Sequence, residues 1–258
     1  MVMDIIHCMM AERFPALLGI FIEDSGLLEH ARSRLSREVL HSGATRPLES
    51  VALSRQIRAQ SKQVRMDFEA AAANLGLPHT FEFTQGAFFD EIAMRVEGAE
   101  SLVVALAADS IAVRRAWQTA SEALSHASLQ TLLLAREGWS KGTNVLVIVD
   151  ELATAEVVLT VAGRLAEQSK SPMSLILTGQ AAEHAEEIRN LFADLNAIKN
   201  VPVQIAAARE ELHADALVET IKRTHARIVA LPWNQAIRDV TLIETLLNKS
   251  SSPVLLVK

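Results

Sequence analysis

Four positively charged side chains follow one another along a segment of the sequence that has the pattern of a helix. Arg55, Arg58, Lys62 and Arg65 are spaced by three, four and three residues, which places them in one stripe on a helix surface. Such a stripe can bind an acidic protein or a nucleic acid. More commonly it is the solvated face of an amphipathic helix. We expect the solvated face, because no aromatic residue is interleaved with the cations.

The stripe belongs to a longer basic segment in a chain whose net charge is negative. Residues 32–65 contain eight lysine and arginine residues and only two glutamates, while the whole chain of 258 residues carries a formal charge of −6. A binding role for this segment therefore stays open as an alternative, with an acidic partner or a nucleic acid as its target. No zinc-ligand spacing or known nucleic-acid motif supports that alternative.

Asp150 and Trp233 are the two candidates for a ligand pocket. Each follows a run of apolar residues typical of a buried strand, and the carboxyl ends of such strands are where doubly wound sheets bind ligands. Asp150 either contacts a small ligand, caps the helix that begins near Thr154, or is solvated. Trp233 either stacks on a base or fills an empty pocket. We expect it to fill the pocket, because a cavity there would reduce stability.

The sequence contains no motif that indicates catalysis or metal binding. A Gly-x-Ser-x-Gly elbow, a His-Glu-x-x-His helix, a P-loop and a Gly-x-Gly-x-x-Gly turn are all absent from it. None of its eight histidines lies four residues from another, and Cys8 is the single cysteine, which excludes an intramolecular disulfide. We therefore expect a protein that is not an enzyme and that holds no metal or cofactor.

Residues 143–258 alternate short apolar runs with amphipathic helical runs. Uninterrupted runs rich in Val, Ile and Leu are typical of strands buried on both faces, and the helices between them provide the crossovers that parallel pairing requires. The pattern predicts a doubly wound α/β sheet. The strands are predicted at 144–149, 174–177, 203–206, 228–231 and 254–257, and the helices at 154–168, 183–195, 217–221 and 240–246.

Residues 1–142 repeat this pattern from its second strand onward. The predicted strands lie at 17–22, 81–83, 102–106 and 132–134, and the predicted helices at 3–14, 48–75, 87–97 and 110–127. The residues before the first of these strands are enough for a helix but not for a strand, a turn and a helix. We therefore predict two doubly wound α/β domains, residues 1–140 and 141–258, of which the first lacks its first strand.

Four segments resemble the universal stress protein family in its tandem, two-domain form. Residues 145–150, Val-Leu-Val-Ile-Val-Asp, resemble the opening strand of that family, and residues 226–232, Ala-Arg-Ile-Val-Ala-Leu-Pro, resemble its fourth strand. Residues 251–257, Ser-Ser-Pro-Val-Leu-Leu-Val, resemble the closing strand, while residues 18–28 resemble the second strand and its loop. The resemblance implies an adenine nucleotide alpha-hydrolase-like fold with strand order 3-2-1-4-5.

Many members of that family bind ATP, with a Gly-x2-Gly-x9-Gly-Ser/Thr loop around the phosphates. Glycines let backbone amides approach phosphate oxygens closely. The matching stretches here, residues 232–239 and 107–115, contain no glycine, and Trp233 stands in the first of them. The first half also lacks the strand that would carry the adenine-side aspartate. We therefore expect neither half to bind ATP in the manner of the family.

The resemblance also implies how the two halves meet. Domains of that family commonly pair through their last strands about a two-fold axis, and here residues 131–135 would pair with 253–257 in one molecule. This pairing would protect two sheet edges, and a homodimer is a further form that the resemblance allows. The first strand is the central one in the implied strand order, so its absence leaves a gap between strands 17–22 and 102–106. Either these two strands pair directly with each other, or another segment or a second chain takes the place of the missing strand.

The expected function follows from the resemblance and from the missing glycine loops. A membrane-spanning helix needs roughly 18 to 20 apolar residues, and no apolar run of the sequence is that long. The N-terminus also lacks the features of a signal peptide, so we expect a cytoplasmic protein. The expected function is that of a non-catalytic tandem universal stress protein that acts through protein contacts or an unidentified small ligand. One alternative is a divergent ATP- or AMP-binding stress protein, and another is the partner binder described above.

Overall fold

The structure is a computed structural model of the single chain. It describes residues 16–24, 37–39, 45–47, 50–74, 76–86, 88–96, 99, 101–106, 129–136, 142–195, 201–207, 214–234, 240–250 and 252–258. The predicted helices 3–14 and 110–127, and Cys8, lie outside these residues.

The described chain alternates strands and helices. Its strands are β1 (Leu17–Asp24), β2 (Arg37–Val39), β3 (Thr45–Pro47), β4 (His79–Gly86), β5 (Ser101–Leu106), β6 (Thr131–Arg136), β7 (Asn144–Val149), β8 (Met173–Leu177), β9 (Val203–Ala207), β10 (Ala226–Pro232) and β11 (Val254–Val257). Its helices are α1 (Ser50–Asn74), α2 (Phe88–Val96), α3 (Leu152–Ser169), α4 (Gly179–Glu183), α5 (Ala185–Asp194), α6 (Ala214–Thr224) and α7 (Val240–Lys249).

A seven-stranded sheet contains all five strands of the second half. Its order is β5-β6-β11-β10-β7-β8-β9, so the second half reads 5-4-1-2-3, which is the predicted order taken from the other edge. Every residue of β7 is buried. Because successive residues of a strand point to opposite faces, both faces of the sheet are covered at this strand, as the uninterrupted apolar run predicts.

The closing strands of the two halves pair with each other inside this sheet. β11 runs antiparallel to β6, with Val254 opposite Leu134 and Val257 opposite Thr131, and β6 in turn runs parallel to β5. This is the strand pairing that the resemblance implies. It gives both closing strands a partner on each side, so neither is a sheet edge.

The other four strands of the first half form two separate two-stranded sheets, β1 with β4 and β2 with β3, and the second of these pairs is antiparallel. β1 runs parallel to β4 over their full lengths, from Leu17 opposite His79 to Asp24 opposite Gly86, and this sheet has only those two strands among the described residues. β1 therefore does not pair with β5, although direct pairing of these two strands is one of the alternatives that the sequence predicts. Without the central strand of the order, the described part of the first half is divided among three sheets.

The chain divides into two compact units that do not coincide with the two repeats. The smaller unit comprises the described residues from β1 to Arg95 and contains β1 to β4, α1 and nearly all of α2; the larger unit comprises residues 96–258. The predicted boundary near residue 140 separates repeats of the sequence pattern, and it stays a prediction. Strands β5 and β6 belong to the larger unit because they extend its sheet.

One predicted helix differs in the structure. The pattern predicts a single helix over 183–195, but two helices, α4 and α5, meet at His184, whose φ of −101° and ψ of 27° interrupt the helical backbone. Within the described residues, no helix combines the length and the apolar character needed to cross a membrane.

Candidate functional site

The predicted pocket residues Asp150 and Trp233 lie at one edge of the seven-stranded sheet. Asp150 follows the last residue of β7, and Trp233 follows the last residue of β10. These strands are parallel neighbours in which Ala230 is opposite Val147. Three positions further along both strands, the register brings Trp233 opposite Asp150. The structure therefore brings the two predicted residues to the same part of the carboxyl edge.

The backbone around Asp150 is closed by the segment that follows β8. The backbone N–H of Thr178 donates to the carbonyl oxygen of Val149 at 2.9 Å, and that of Ala181, in α4, donates to the carbonyl oxygen of Asp150 at 2.9 Å. The carboxylate oxygen Oδ1 of Asp150 is buried. The N-cap of α3 is Glu151, so Asp150 does not cap that helix.

Trp233 is almost completely buried at the carboxyl end of β10. Its side chain is 5% exposed, and the preceding residues Leu231 and Pro232 are buried as well. A buried indole occupies a large volume and excludes water from the space around it. Of the two interpretations of Trp233, its burial favours filling of the space over stacking on a ligand.

The basic stripe lies on α1, in the smaller unit. The face of α1 that carries Ile57, Ser61 and Phe68 is buried. Three of the four stripe residues lie beside that face and line an open pocket of about 390 Å³, while Arg55 is exposed and is not among the lining residues. The six lining residues are Arg58, Ser61, Lys62, Arg65, Phe81 and Phe83.

The pocket contains two aromatic residues that our sequence reasoning did not assign to a site. Phe81 and Phe83 lie two positions apart on β4, so they share one face of the strand. The alternation Phe-Glu-Phe at 81–83 is the signal that could have identified them. The helical spacing of the basic segment does not reveal these residues, because they come from the next strand.

The two rings differ in their surroundings. Phe81 packs against Phe68 of α1, with ring centroids 5.8 Å apart. Phe83 is 47% exposed and lies beside Phe21 of β1 in a nearly parallel arrangement, with centroids 5.9 Å apart and an interplanar angle of 8°. The pocket therefore combines cations from a helix with a half-exposed aromatic surface from a strand.

The opposite face of β4 carries an ion-pair cluster with α2. Thr84 Oγ1 donates to Glu91 Oε2 at 2.7 Å, Arg95 Nη1 donates to the same oxygen at 2.5 Å, and Arg95 Nε donates to Glu82 at 3.0 Å. The hydrogen bond from Thr84, followed by the contact with Arg95, lowers the pKa of Glu91. Hydrogen bonds to Glu82 and Glu91 raise the pKa of Arg95. The cluster fastens α2 to β4.

The described residues contain no group of three or more His, Cys, Asp or Glu side chains that could hold a metal ion. Among the six residues that line the pocket on α1, Ser61 supplies the one hydroxyl, beside cations and phenyl rings. What these sites can do chemically is bind: the first around a buried carboxylate oxygen and an indole, the second through positive charge and aromatic surface.

Comparisons with known proteins identify the fold. No protein-family model matches the chain, and no curated protein matches it. Among solved structures, the chain is similar to a universal stress protein from Archaeoglobus fulgidus DSM 4304, with 13% sequence identity, a TM-score of 0.62, and coverage of 100% of this chain and 91% of that chain.

A second solved structure gives the same result. The chain is similar to a functionally unknown protein from Pseudomonas aeruginosa PAO1, with 13% identity, a TM-score of 0.54, and coverage of 96% of this chain and 94% of that one. At these identities the likeness shows the fold. The chain has the fold of a full-length universal stress protein, so the predicted α/β class is confirmed and the resemblance holds at the level of fold.

Proposed function

We propose that this chain is a non-catalytic tandem protein of the universal stress type that does not hold ATP at the carboxyl edge of its seven-stranded sheet. It acts instead through protein contacts or an unidentified small ligand. The observation that carries this proposal is the burial of Trp233, which is 5% exposed where a nucleotide of that family would extend its phosphates.

The surroundings of Asp150 support the proposal. One carboxylate oxygen of Asp150, Oδ1, is buried, and α4 is hydrogen-bonded to the backbone of this residue, so the half-buried aspartate offers a ligand less than a fully open carboxylate would. The segment where phosphates would bind is also unfavourable for ATP, because residues 232–239 contain no glycine that would let backbone amides approach an anion.

A second candidate function is binding of an adenine nucleotide through a divergent loop. It is motivated by Asp150 itself, which stands at the end of β7 where the family places its adenine-side aspartate. We rank it second, because the indole of Trp233 and the missing glycines both oppose it.

The experiment that tests the proposal is titration calorimetry of ATP and AMP, with magnesium, into the full chain and into Asp150→Ala. We expect no saturable heat with either protein. Saturable heat that Asp150→Ala abolishes would contradict the proposal and establish the second candidate.

A further variant shows whether Trp233 is itself the obstacle. Trp233→Ala removes the indole but supplies no glycine loop, so we expect it to bind no ATP either. Binding gained by this variant would mean that the edge is blocked by one side chain rather than unable to hold phosphate. Asp215→Ala, at an exposed carboxylate on α6 in the same unit, is the matched control for Asp150→Ala.

A further inference from the structure

We propose that the pocket between α1 and β4 binds single-stranded nucleic acid, with bases stacked on Phe83 and Phe81 and phosphates held by Arg58, Lys62 and Arg65. This site belongs to the smaller unit and uses no residue of the carboxyl edge discussed above. It therefore stands or falls independently of the proposed function.

Two of the three cations of the pocket are not engaged in ion pairs within the part of the fold that the structure describes. Among the described residues, Arg58 and Lys62 form no ion pair, and Arg65 contacts Glu69 only through its Nε, at 2.7 Å. Other basic residues of the chain are engaged, such as Lys249 with Asp215 and Arg95 with two glutamates. Residues 50–65 hold four cations and no carboxylate, so an anion entering the pocket meets no nearby negative side chain of that segment.

The aromatic part of the pocket also remains available. A phenylalanine usually buries its ring, and the 47% exposure of Phe83 leaves apolar surface in contact with water. The ring lies beside the cations and is held nearly parallel to Phe21, so its orientation is fixed before a ligand arrives. Stacking of bases on such rings beside positive charges is the common mode of single-strand recognition.

The length of the stripe favours a strand over a free nucleotide. Arg55 to Arg65 spans ten residues of helix, or about 15 Å at 1.5 Å per residue, whereas one mononucleotide would engage one or two of the four cations. Phe81 and Phe83 lie two residues apart, about 6.6 Å along the strand, so they offer two stacking positions in a row.

The aromatic residues favour a nucleic acid over an acidic peptide. A run of glutamates would satisfy the cations but would leave the exposed ring of Phe83 without a planar partner. A duplex keeps its bases stacked on each other, so it could engage the cations but not the rings. Bases of a single strand satisfy both parts of the pocket at once.

The test is fluorescence anisotropy of a labelled oligothymidylate of about 12 nucleotides, a length within single-strand site sizes, titrated with the full chain between about 50 and 200 mM salt. With three cations on phosphates, we expect log K to fall against log salt with a slope of about −2, from about 0.7 per contact on a single strand.

Variants separate the two parts of the pocket. Phe83→Leu keeps apolar volume and removes the ring, so we expect at least about a fivefold loss of affinity with the salt slope unchanged, whereas Phe83→Trp retains binding. Arg58→Gln with Lys62→Gln lowers the magnitude of the slope by about 1.4. Arg223→Gln, at an exposed cation on α6, is the matched control and leaves binding unchanged. Circular dichroism confirms that each variant is folded.

Several results would overturn the proposal. These are the absence of binding at low salt, equal competition by polyglutamate of the same charge, equal affinity for the duplex or for thymidine monophosphate, and unchanged affinity in Phe83→Leu. Equal competition by polyglutamate would identify the stripe as a general acidic-partner surface. Tight binding that requires both the ring and the cations supports the proposal.

Discussion

Two sheets of this chain, the seven-stranded sheet and the β1-β4 pair, contain strands of the same repeated pattern, yet they are packed very differently. In the larger unit, β7 has a neighbour on each side and all six of its residues are buried. In the smaller unit, β1 and β4 have only each other among the described strands, and Leu18 and Phe83 are 48% and 47% exposed. A parallel strand becomes fully buried only when both its edges and both its faces are covered.

This difference separates stability from recognition. A pair of strands alone is marginal, and packing against a helix is needed to hold it. Here α1 supplies that packing through Phe68 and Ile57. On the same strand face, the part around Phe83 that α1 leaves open is where the pocket lies. In the larger unit the central strand β7 is buried on both faces, and the carboxyl edge beside it is closed by Trp233 and α4.

The largest expected difference between the two sheets appears when the same substitution is made in both. Leu146 in β7 is 0% exposed and Leu18 in β1 is 48% exposed. We expect Leu146→Ala to lower the free energy of unfolding by about 3 kcal/mol, since it leaves a cavity in a closed core. We expect Leu18→Ala to lower it by less than about 1 kcal/mol. Urea titration measures both.

The placement of the tryptophans lets this experiment report on one unit at a time. The smaller unit, from β1 to Arg95, contains no tryptophan and the chain contains no tyrosine, so tryptophan fluorescence does not report directly on that unit. Trp233 reports on the larger unit, while circular dichroism follows the helices of both. Leu146→Ala should shift the fluorescence midpoint and Leu18→Ala should not. Equal shifts would show that the two units unfold as one, and would remove the contrast drawn here.

The same contrast explains what the sequence could and could not predict. The strands of the second half were predictable, because buried apolar runs such as 145–149 alternate with helical runs in the manner of a parallel sheet. Their order came from the resemblance of those strands to the family, not from the pattern itself. The division of the first half among three sheets was not predictable. The pattern identifies strands and their faces, but which edges pair depends on contacts between segments far apart in the chain, such as β6 with β11.

The candidate sites show a similar division. The sequence placed Asp150 and Trp233 at one carboxyl edge, because both end strands that are neighbours in the predicted order. It also placed the cations of α1 in one stripe. It did not bring Phe83 to that stripe, since the helical spacing of 55–65 carries no information on the strand face packed beside it. Burial of Oδ1 of Asp150 depends on α4, whose contact is equally non-local.

Substitution of one glycine in each unit tests how closely the neighbouring atoms pack against the backbone there. A Cβ at Gly142 would lie 2.5 Å from the backbone of Ala226, at the start of β10, whereas a Cβ at Gly76 would have nothing within 4 Å. Gly142→Ala must therefore shift a strand, and we expect a loss of about 2 kcal/mol, detected by fluorescence.

Gly76→Ala is the matched control in the smaller unit. It meets no neighbour, but its φ of +64° is a left-handed conformation after the end of α1, and alanine there costs about 1 kcal/mol. This loss should appear in the circular dichroism of the smaller unit and not in the fluorescence. A larger loss of unfolding free energy for Gly76→Ala than for Gly142→Ala would contradict the closer packing of the larger unit that the burial of its sheet indicates.

The smallest effects are expected from two carboxylates with lowered pKa values, one in each unit. Thr84 and Arg95 lower the pKa of Glu91, and the hydrogen bond from Lys249 lowers the pKa of Asp215. A carboxylate with a lowered folded-state pKa stabilises the fold above its unfolded-state pKa, and this stabilisation is lost as the pH falls through the folded-state value. A variant that lacks one of these carboxylate charges should therefore lose its difference in stability from the wild type as the pH becomes acidic.

The size of each difference depends on exposure. The Glu91 side chain is 13% exposed, while Asp215 and its partner Lys249 are 75% and 57% exposed, so solvent and salt screen the second pair far more. In urea titrations from pH 7 downward, Glu91→Gln should be measurably less stable than the wild type at neutral pH and should converge with it in acid. Asp215→Asn should differ little throughout.

Glutamine keeps an acceptor for the hydroxyl of Thr84, so Glu91→Gln removes the charge rather than the hydrogen bond. A loss that persists in acid would mean that the cluster acts through shape and hydrogen bonding, not through charge. In that case the smaller unit would be held by packing alone, as its two-stranded sheet and its contacts with α1 already indicate. A loss of stability that disappears in acid would show that the ion pairs between β4 and α2 contribute through their charge. These ion pairs would then stabilise β4, which lacks the strand neighbours on both sides that β7 has.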